Sequence, residues 1–205
     1  MGLYKKYIFP RLCNLVMSRE ILEKYRKNLL SDVDGNILEI GFGTGINLSF
    51  YPEHVRKITV IEPNEGMNPK AIERVKSSGI QVDFHTLSTD SMPFSDCTFD
   101  GVVSTFTLCS IVNVRNGLLE IKRVLKQDGR FFFLEHGLSP DPNVEKWQNR
   151  LSPINGIFAD GCNLNRNIKN LIGSNDLQIS ELENFYLEKT PRFAGYMYKG
   201  IAHKR

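Results

Sequence analysis

The sequence has little net charge and lacks long uncharged stretches. The formal charge of its 205 residues is only +3, and no run of lysine and arginine with interleaved aromatic residues occurs, so we expect no nucleic-acid partner. No run reaches the roughly 18 apolar residues that a membrane-spanning helix needs. The first twenty residues lack the apolar core of a signal peptide, because Lys5, Lys6 and Arg11 interrupt them. We therefore expect a cytoplasmic location, peripheral to a membrane at most.

The chain also has few cysteines, and their spacing is not typical of a metal site. Cys13, Cys97, Cys109 and Cys162 form no C-x-x-C pair. This spacing argues against bound zinc and against a disulfide framework, and it agrees with a reducing compartment. We expect no metal ion.

Short apolar runs rich in β-branched and aromatic residues alternate with helical patterns. The runs lie at 37–41, 57–61, 80–84, 99–105 and 130–135. This alternation predicts βαβ units and a parallel sheet with helices on both faces, which is an α/β fold. A length of 205 residues suits a single domain, residues 1–205, that buries roughly 70% of its unfolded surface. Two late runs, 177–187 and 195–202, predict a closing β-hairpin.

Local patterns predict several boundaries between these elements. The apolar stripe of Val114, Leu118, Ile121 and Leu125 predicts a helix. Asp128-Gly129 predicts a turn before the fifth strand. After Gly137 the pattern is irregular, and we expect a helix carrying Trp147 followed by a loop over 156–165.

The most informative segment is Ile37 to Gly45, a buried-strand pattern that runs into three alternate glycines. Glycine permits the positive φ of a tight turn and the close approach of backbone to a ligand. Glu39 precedes the glycines, and Glu62 follows Gly45 by 17 residues, which is near the spacing at which an acid accepts hydrogen bonds from ribose hydroxyls. The segment therefore predicts a nucleotide site at the carboxyl ends of the strands.

The glycine spacing disfavours a nicotinamide cofactor. The dinucleotide pattern G-x-G-x-x-G requires a small residue where this chain has Ile46. The acid two residues before alternate glycines instead resembles motif I of the class I S-adenosylmethionine-dependent methyltransferases. Residues 87–94, Leu-Ser-Thr-Asp-Ser-Met-Pro-Phe, resemble the segment that wraps the adenine in that superfamily, although Ser88 replaces an aspartate found in many members.

The resemblance extends over most of the chain, to the methyltransferase type 11 group and to mammalian membrane-associated alkyl-thiol methyltransferases. The segments that carry it are Gly2-Leu3-Tyr4, Pro10-Arg11-Leu12, Leu48 to Pro52, Thr107 to Ser110, Leu134 to Gly137, Trp147-Gln148 and Gly161 to Arg166. It implies a Rossmann-like, three-layer αβα fold with a seven-stranded, mostly parallel sheet whose last strand is antiparallel. It further implies a helical lid or cap in 1–34, a cofactor-binding core in 35–136, and an acceptor-side segment with the C-terminal β-hairpin in 137–205.

The resemblance also implies the cofactor and the residues that bind it. S-adenosyl-L-methionine would give its methyl group by direct in-line displacement and leave as S-adenosyl-L-homocysteine. The residues expected to bind it are Glu39, Gly41, Gly43, Gly45, Glu62, Pro63, Met67, Ser88, Thr89, Asp90 and Thr105.

The methyl acceptor is less well defined by the sequence. We expect a small, lipophilic molecule, with a thiol favoured because it supplies its own reactive anion. His136 is a candidate general base or a wall of the acceptor pocket, and Cys109, Trp147 and Asp160 are further candidates for that pocket. A phospholipid headgroup amine is the alternative acceptor, and a non-catalytic S-adenosylmethionine-binding module is the alternative function. Nucleic-acid bases are disfavoured, since the chain has no Asn-Pro-Pro or Asp-Pro-Pro motif.

The first 30 residues carry seven basic side chains against two acids. Ile8, Leu12, Leu15 and Val16 lie at helical spacing on this basic segment. A packing or lid helix and a helix in weak peripheral contact with a membrane both agree with this pattern. We expect the protein to be a monomer.

Overall fold

The computed structural model describes residues 3–205, so Met1 and the Gly2 of the motif above lie outside the described residues. The strands are β1 Ile37–Ile40, β2 Lys57–Ile61, β3 Gln81–His85, β4 Phe99–Thr105, β5 Leu125–His136, β6 Leu177–Tyr186 and β7 Tyr196–Lys204. The helices are α1 Phe9–Met17, α2 Glu20–Leu30, α3 Asn68–Ser78, α4 Val114–Val124, α5 Pro142–Phe158, α6 Ile168–Gly173 and α7 Arg192–Gly195. A π-helical turn precedes α1, and 3₁₀ turns follow β1 and β2.

The seven strands form one sheet in the order β3-β2-β1-β4-β5-β7-β6. Strands β1 to β5 are parallel, whereas β7 runs antiparallel between β5 and β6. This sheet confirms the predicted topology, including the closing hairpin. β1 pairs with both β2 and β4, so the strand order reverses there and opens a crevice at the carboxyl ends of the strands.

Alternate side chains of the central strands enter two different cores. Ile37 packs on one face with Leu29 of α2, and Leu38 packs on the other face with Leu118 of α4. All four residues of β1 are buried, as expected for a strand covered on both faces. Each fully buried aliphatic side chain contributes about 1.5–3 kcal/mol, which holds the carboxyl ends of the strands in fixed positions.

The two N-terminal helices differ in their environment. On α2, Leu22, Leu29 and Leu30 are buried against the sheet, so this helix packs as part of the core. On α1, Leu12 and Leu15 are 48% and 71% exposed. Among residues 3–205, no helix is both long enough and apolar enough to cross a membrane.

Two predicted boundaries are wrong, for reasons that lie in tertiary packing. Asp128-Gly129 does not precede β5 but falls within it. Leu125 is fully buried and pairs with Phe99, while Arg130 pairs with Gly101, so the residues between them bulge from the ladder. The loop expected over 156–165 begins later, because α5 continues to Phe158.

Candidate active site

A cavity of about 740 Å³ lies at the carboxyl ends of the parallel strands. Its walls come from the segments that follow β1, β2, β3, β4 and β5, from α1 and α2, and from the loop after α5. The volume is within the range of small-molecule sites in proteins. As predicted, the loops that follow the first five strands converge on one crevice.

The glycine turn after β1 has the conformation that its sequence predicts. The φ angles of Gly41, Gly43 and Gly45 are +66°, +57° and +75°. A Cβ at Gly41 would lie 2.1 Å from the hydroxyl oxygen of Thr107, whereas a Cβ at Gly43 would meet no atom closer than 3.8 Å. Gly41 and Gly43 line the cavity, while Gly45 packs behind it against Phe42.

Glu62 follows β2 and is fixed by backbone amides. Its Oε2 accepts a hydrogen bond from Gly43 N at 2.7 Å, and its Oε1 accepts one from Asn64 N at 2.8 Å. The side chain is 6% exposed and lines the cavity. Burial raises the pKa of Glu62 to about 7. The glycine turn and the second strand are thus joined through this carboxylate.

Glu39 lies beneath the turn in a buried polar network. Its two carboxylate oxygens accept hydrogen bonds from Asn47 Nδ2 at 2.9 Å and from the Tyr51 hydroxyl at 2.7 Å. Arg26 Nη1 donates to Asn47 Oδ1 and to Thr105 Oγ1. Burial raises the pKa of Glu39 to about 7. Both oxygens of Glu39 are therefore engaged within the protein, and its position beside the cavity depends on α2.

Arg26 is a site residue that the sequence analysis included only in the count of basic side chains among the first 30 residues. It is 3% exposed and lines the cavity, and within the described part of the chain its Nε has no hydrogen-bond partner. Burial lowers the pKa of Arg26 to about 10, so the guanidinium stays charged at neutral pH. Its spacing in the sequence could have indicated this burial, because Arg26 lies on the same helical stripe as Leu22, Leu29 and Leu30.

Most of the remaining candidates for cofactor binding also border the cavity. Pro63, Met67, Ser88 and Thr89 line it, and Met67 and Thr89 are each 5% exposed. Asp90 is half-buried and does not line it. The structure therefore brings the predicted adenine segment to the cavity through residues 88 and 89.

On the expected acceptor side, the structure assembles a different set from the predicted one. Cys109, His136 and Asp160 line the cavity. Trp147 does not, because it projects from α5 with 55% of its surface exposed. Asp160 has φ of +48° and accepts a hydrogen bond from Asn64 Nδ2 at 3.1 Å. The prediction that Trp147 contributes to this pocket disagrees with its position.

Cys162, which sequence reasoning did not single out as a site residue, completes this side. His136 Nε2 lies 3.0 Å from Cys162 Sγ, and the imidazole and the Cys109 sulfur are also close neighbours. A hydrogen bond from the Cys162 thiol holds the pKa of Cys109 well below its usual range. The imidazole of His136 is thus directed at a thiol of the protein.

Comparison with known proteins identifies the family. A methyltransferase domain model matches residues 38–133. Thiol S-methyltransferase TMT1B of Rattus norvegicus is 30% identical over 176 residues, which cover 78% of this chain and 71% of the relative. Thiol S-methyltransferase TMT1A of Homo sapiens is 36% identical over 135 residues, which cover 64% of this chain and 55% of the relative.

A solved structure has a similar fold. The crystal structure of the YcgJ protein of Bacillus subtilis superposes with a TM-score of 0.69 at 18% identity, covering 90% of this chain and 98% of that one. The seven-stranded sheet with this strand order agrees with this likeness in fold. The chain belongs to the class I S-adenosylmethionine-dependent methyltransferases.

Proposed function

We propose that this methyltransferase acts on a small lipophilic thiol. The observation that carries the proposal is that the two candidate bases lining the acceptor side are engaged within the protein, while His136 Nδ1, which has no partner among residues 3–205, is buried away from solvent. His136 Nε2 faces the Cys162 sulfur, and Asp160 is paired with Asn64. An acceptor that supplies its own anion suits such a site, and a thiol of pKa about 8.5 is roughly 3% ionised at neutral pH.

The cavity fits the cofactor that the family uses. Gly41 and Gly43 present backbone without side chains to the cavity, and a Cβ at Gly43 would meet no atom closer than 3.8 Å. Arg26 adds a buried positive charge for the methionyl carboxylate, and Glu62 adds acceptors for the ribose hydroxyls. Ser88, Thr89 and Met67 would border the adenine.

The chemistry needs alignment more than activation by the protein. S-adenosylmethionine supplies a methyl group that its sulfonium charge already activates. Apolar side chains from α1 and the end of α5, including Phe9, Leu12 and Phe158, line the cavity and would exclude water from the acceptor. The named activity of the two mammalian relatives supports a thiol as that acceptor.

We expect cofactor binding to weaken as the pH falls through about 7. The raised pKa of Glu62 means that the free protein holds a proton there below about pH 7. A protonated carboxyl cannot accept hydrogen bonds from two hydroxyls through both oxygens, so the proton must leave when the ligand binds. By linkage, affinity for S-adenosylhomocysteine should fall roughly 50-fold from about pH 7 to about pH 5, as measured by calorimetry.

Glu62→Gln provides the control for this pH dependence. The substitution keeps the shape of the side chain but removes its titration, so we expect weaker binding with a nearly flat pH profile. Glu39 also has a pKa raised to about 7. Burial raises the pKa of Glu135 to about 7 as well. A profile that stays steep in Glu62→Gln would assign the effect to another buried carboxyl and contradict the prediction for Glu62.

The acceptor is tested by transfer of a radiolabelled methyl group. The substrates are alkyl thiols of increasing length, alcohols and amines with the same carbon skeletons, and phosphatidylethanolamine vesicles. We expect thiols to react fastest, with kcat/KM rising about fourfold for each buried CH₂. Preference for an amine or for the vesicles would overturn the thiol proposal. Cofactor binding without methyl transfer to any substrate would favour the binding-module alternative.

Two aromatic residues of α5 make a matched pair for the acceptor pocket. Phe158 is 61% exposed and lines the cavity, whereas Trp147 is 55% exposed and does not. Phe158→Ala should raise KM for long alkyl thiols several-fold, because it removes apolar wall. Trp147→Ala should leave KM unchanged, and an equal effect of both substitutions would contradict this description of the pocket.

A further inference from the structure

Cys109, His136 and Cys162 converge from three separate segments of the fold. Cys109 follows β4, His136 ends β5, and Cys162 lies in the loop after α5. Their two sulfur atoms and one ring nitrogen all lie within 4.8 Å of one another. Cys109 is 2% exposed and His136 is 7% exposed. Cys162 is half-buried, and the cluster takes no part in the cofactor contacts proposed above.

The spacing of the three atoms suits a tetrahedral metal ion. Zinc–ligand distances of about 2.3 Å to sulfur and about 2.0 Å to nitrogen give tetrahedral edges of roughly 3.5 to 3.8 Å. The His136 Nε2 to Cys162 Sγ separation of 3.0 Å and the upper limit of 4.8 Å for the cluster bracket these edges. Two thiolates balance the charge of a divalent cation, and a set of two cysteines and one histidine favours a thiophilic metal.

Backbone contacts hold the ligands in place without a metal. The backbone amide and the side-chain amide of Asn163 both donate to the Cys109 carbonyl, at 2.9 and 3.0 Å. Asn155 Nδ2 donates to the Cys162 carbonyl at 2.8 Å. The loop that carries Cys162 is therefore fastened to the segment that carries Cys109, so little rearrangement would be needed on binding.

The three residues also line the methyl-transfer cavity, which decides the kind of site. A structural zinc site is closed by four protein ligands, whereas three protein ligands leave a position for an exogenous one. We propose that Cys109, His136 and Cys162 bind one zinc-like divalent cation whose open position faces the cavity and accepts a thiolate. Binding of a thiolate at the open position rests on the proposed function, whereas the metal site itself does not.

We expect affinity below that of zinc sites with complete outer contacts. A histidine ligand normally donates its second ring nitrogen to a partner, and losing such a partner costs 10- to 100-fold in metal affinity. His136 Nδ1 is buried without a hydrogen-bond partner in the part of the chain that the structure describes. The site should therefore exchange its metal and release it to strong chelators.

Cobalt(II) serves as the probe, on full-length chain reduced with a phosphine so that no competing thiol is added. Cys13→Ser/Cys97→Ser is the background variant, because it leaves the two cluster thiols alone. We expect one cobalt per chain, a thiolate-to-cobalt charge-transfer band, and displacement by zinc. Adding Cys162→Ser or Cys109→Ser should remove the band while circular dichroism and S-adenosylhomocysteine binding stay the same.

The possible outcomes test metal binding and thiolate binding at the open position separately. No charge-transfer band in the reduced background, or a band that persists after Cys162→Ser, would overturn the metal site. Free thiols lost on purification and recovered on reduction, without cobalt binding, would show a Cys109–Cys162 disulfide instead. An alkyl thiol should shift the visible cobalt bands and the matching alcohol should not. No shift, with cobalt bound and thiols methylated, would reject the open position alone.

Discussion

Gly41→Ala is expected to destabilise the fold by about 3 kcal/mol and to abolish measurable binding of S-adenosylhomocysteine. The residue has φ of +66°, which costs a residue with a side chain about 1–2 kcal/mol. Its Cβ would also lie 2.1 Å from Thr107 Oγ1, and relieving such a clash typically costs a further 1–3 kcal/mol. Urea unfolding and calorimetry measure the two effects.

Gly79→Ala is the matched control for this substitution. Gly79 ends α3 with φ of +71°, and no atom lies within 4 Å of the position of an added Cβ. It therefore carries the conformational cost without the clash, and we expect a loss of about 1 kcal/mol with unchanged cofactor affinity. Equal destabilisation by both substitutions would mean that Thr107 moves aside and that its close packing against Gly41 is unimportant for stability.

Glu62→Ala is expected to weaken cofactor binding about 100-fold at about pH 8, whichever acceptor is present. Hydrogen bonds to a charged group are each worth about 1.5–3 kcal/mol, and a 100-fold change corresponds to about 2.7 kcal/mol. The substitution also releases the amides of Gly43 and Asn64, which the carboxylate holds at 2.7 and 2.8 Å. Calorimetry with S-adenosylmethionine and S-adenosylhomocysteine measures the loss.

Glu65→Ala provides the comparison for Glu62→Ala. Glu65 is an exposed acid three residues further on, and it does not line the cavity. Its removal should leave affinity within twofold of the unsubstituted chain, which separates the role of the Glu62 carboxylate from a general change in charge. Unchanged affinity after Glu62→Ala would refute its role at the ribose.

The fold was largely predictable because its signals are local. Short apolar runs placed β1, β2 and β4 to within one residue, and the resemblance to a known family supplied the seven-stranded sheet with its antiparallel last strand. The start of β5 was not predictable, since Leu125 enters the strand by pairing with Phe99, a contact that no local pattern encodes.

The cofactor half of the site was more predictable than the acceptor half. Short sequence motifs predict backbone turns and strand ends, which is why Gly41, Gly43 and Glu62 were predicted as cofactor-binding residues. The direction of a helical side chain depends on what the helix packs against, so Trp147 was placed wrongly relative to the cavity. The Cys109, His136 and Cys162 cluster is formed by tertiary packing, and spacing rules for cysteine consider only neighbours in the sequence.

The buried guanidinium of Arg26 limits where the chain of this enzyme can be truncated. Residues 38–133 match the methyltransferase domain model, yet the charge next to Glu39 and Thr105 comes from α2, before that segment begins. A chain shortened to the matched segment would keep the glycine turn but leave Glu39 facing Asn47 with no cation nearby. Engineering by fusion, circular permutation or domain exchange should therefore treat α2 as inseparable from the catalytic unit.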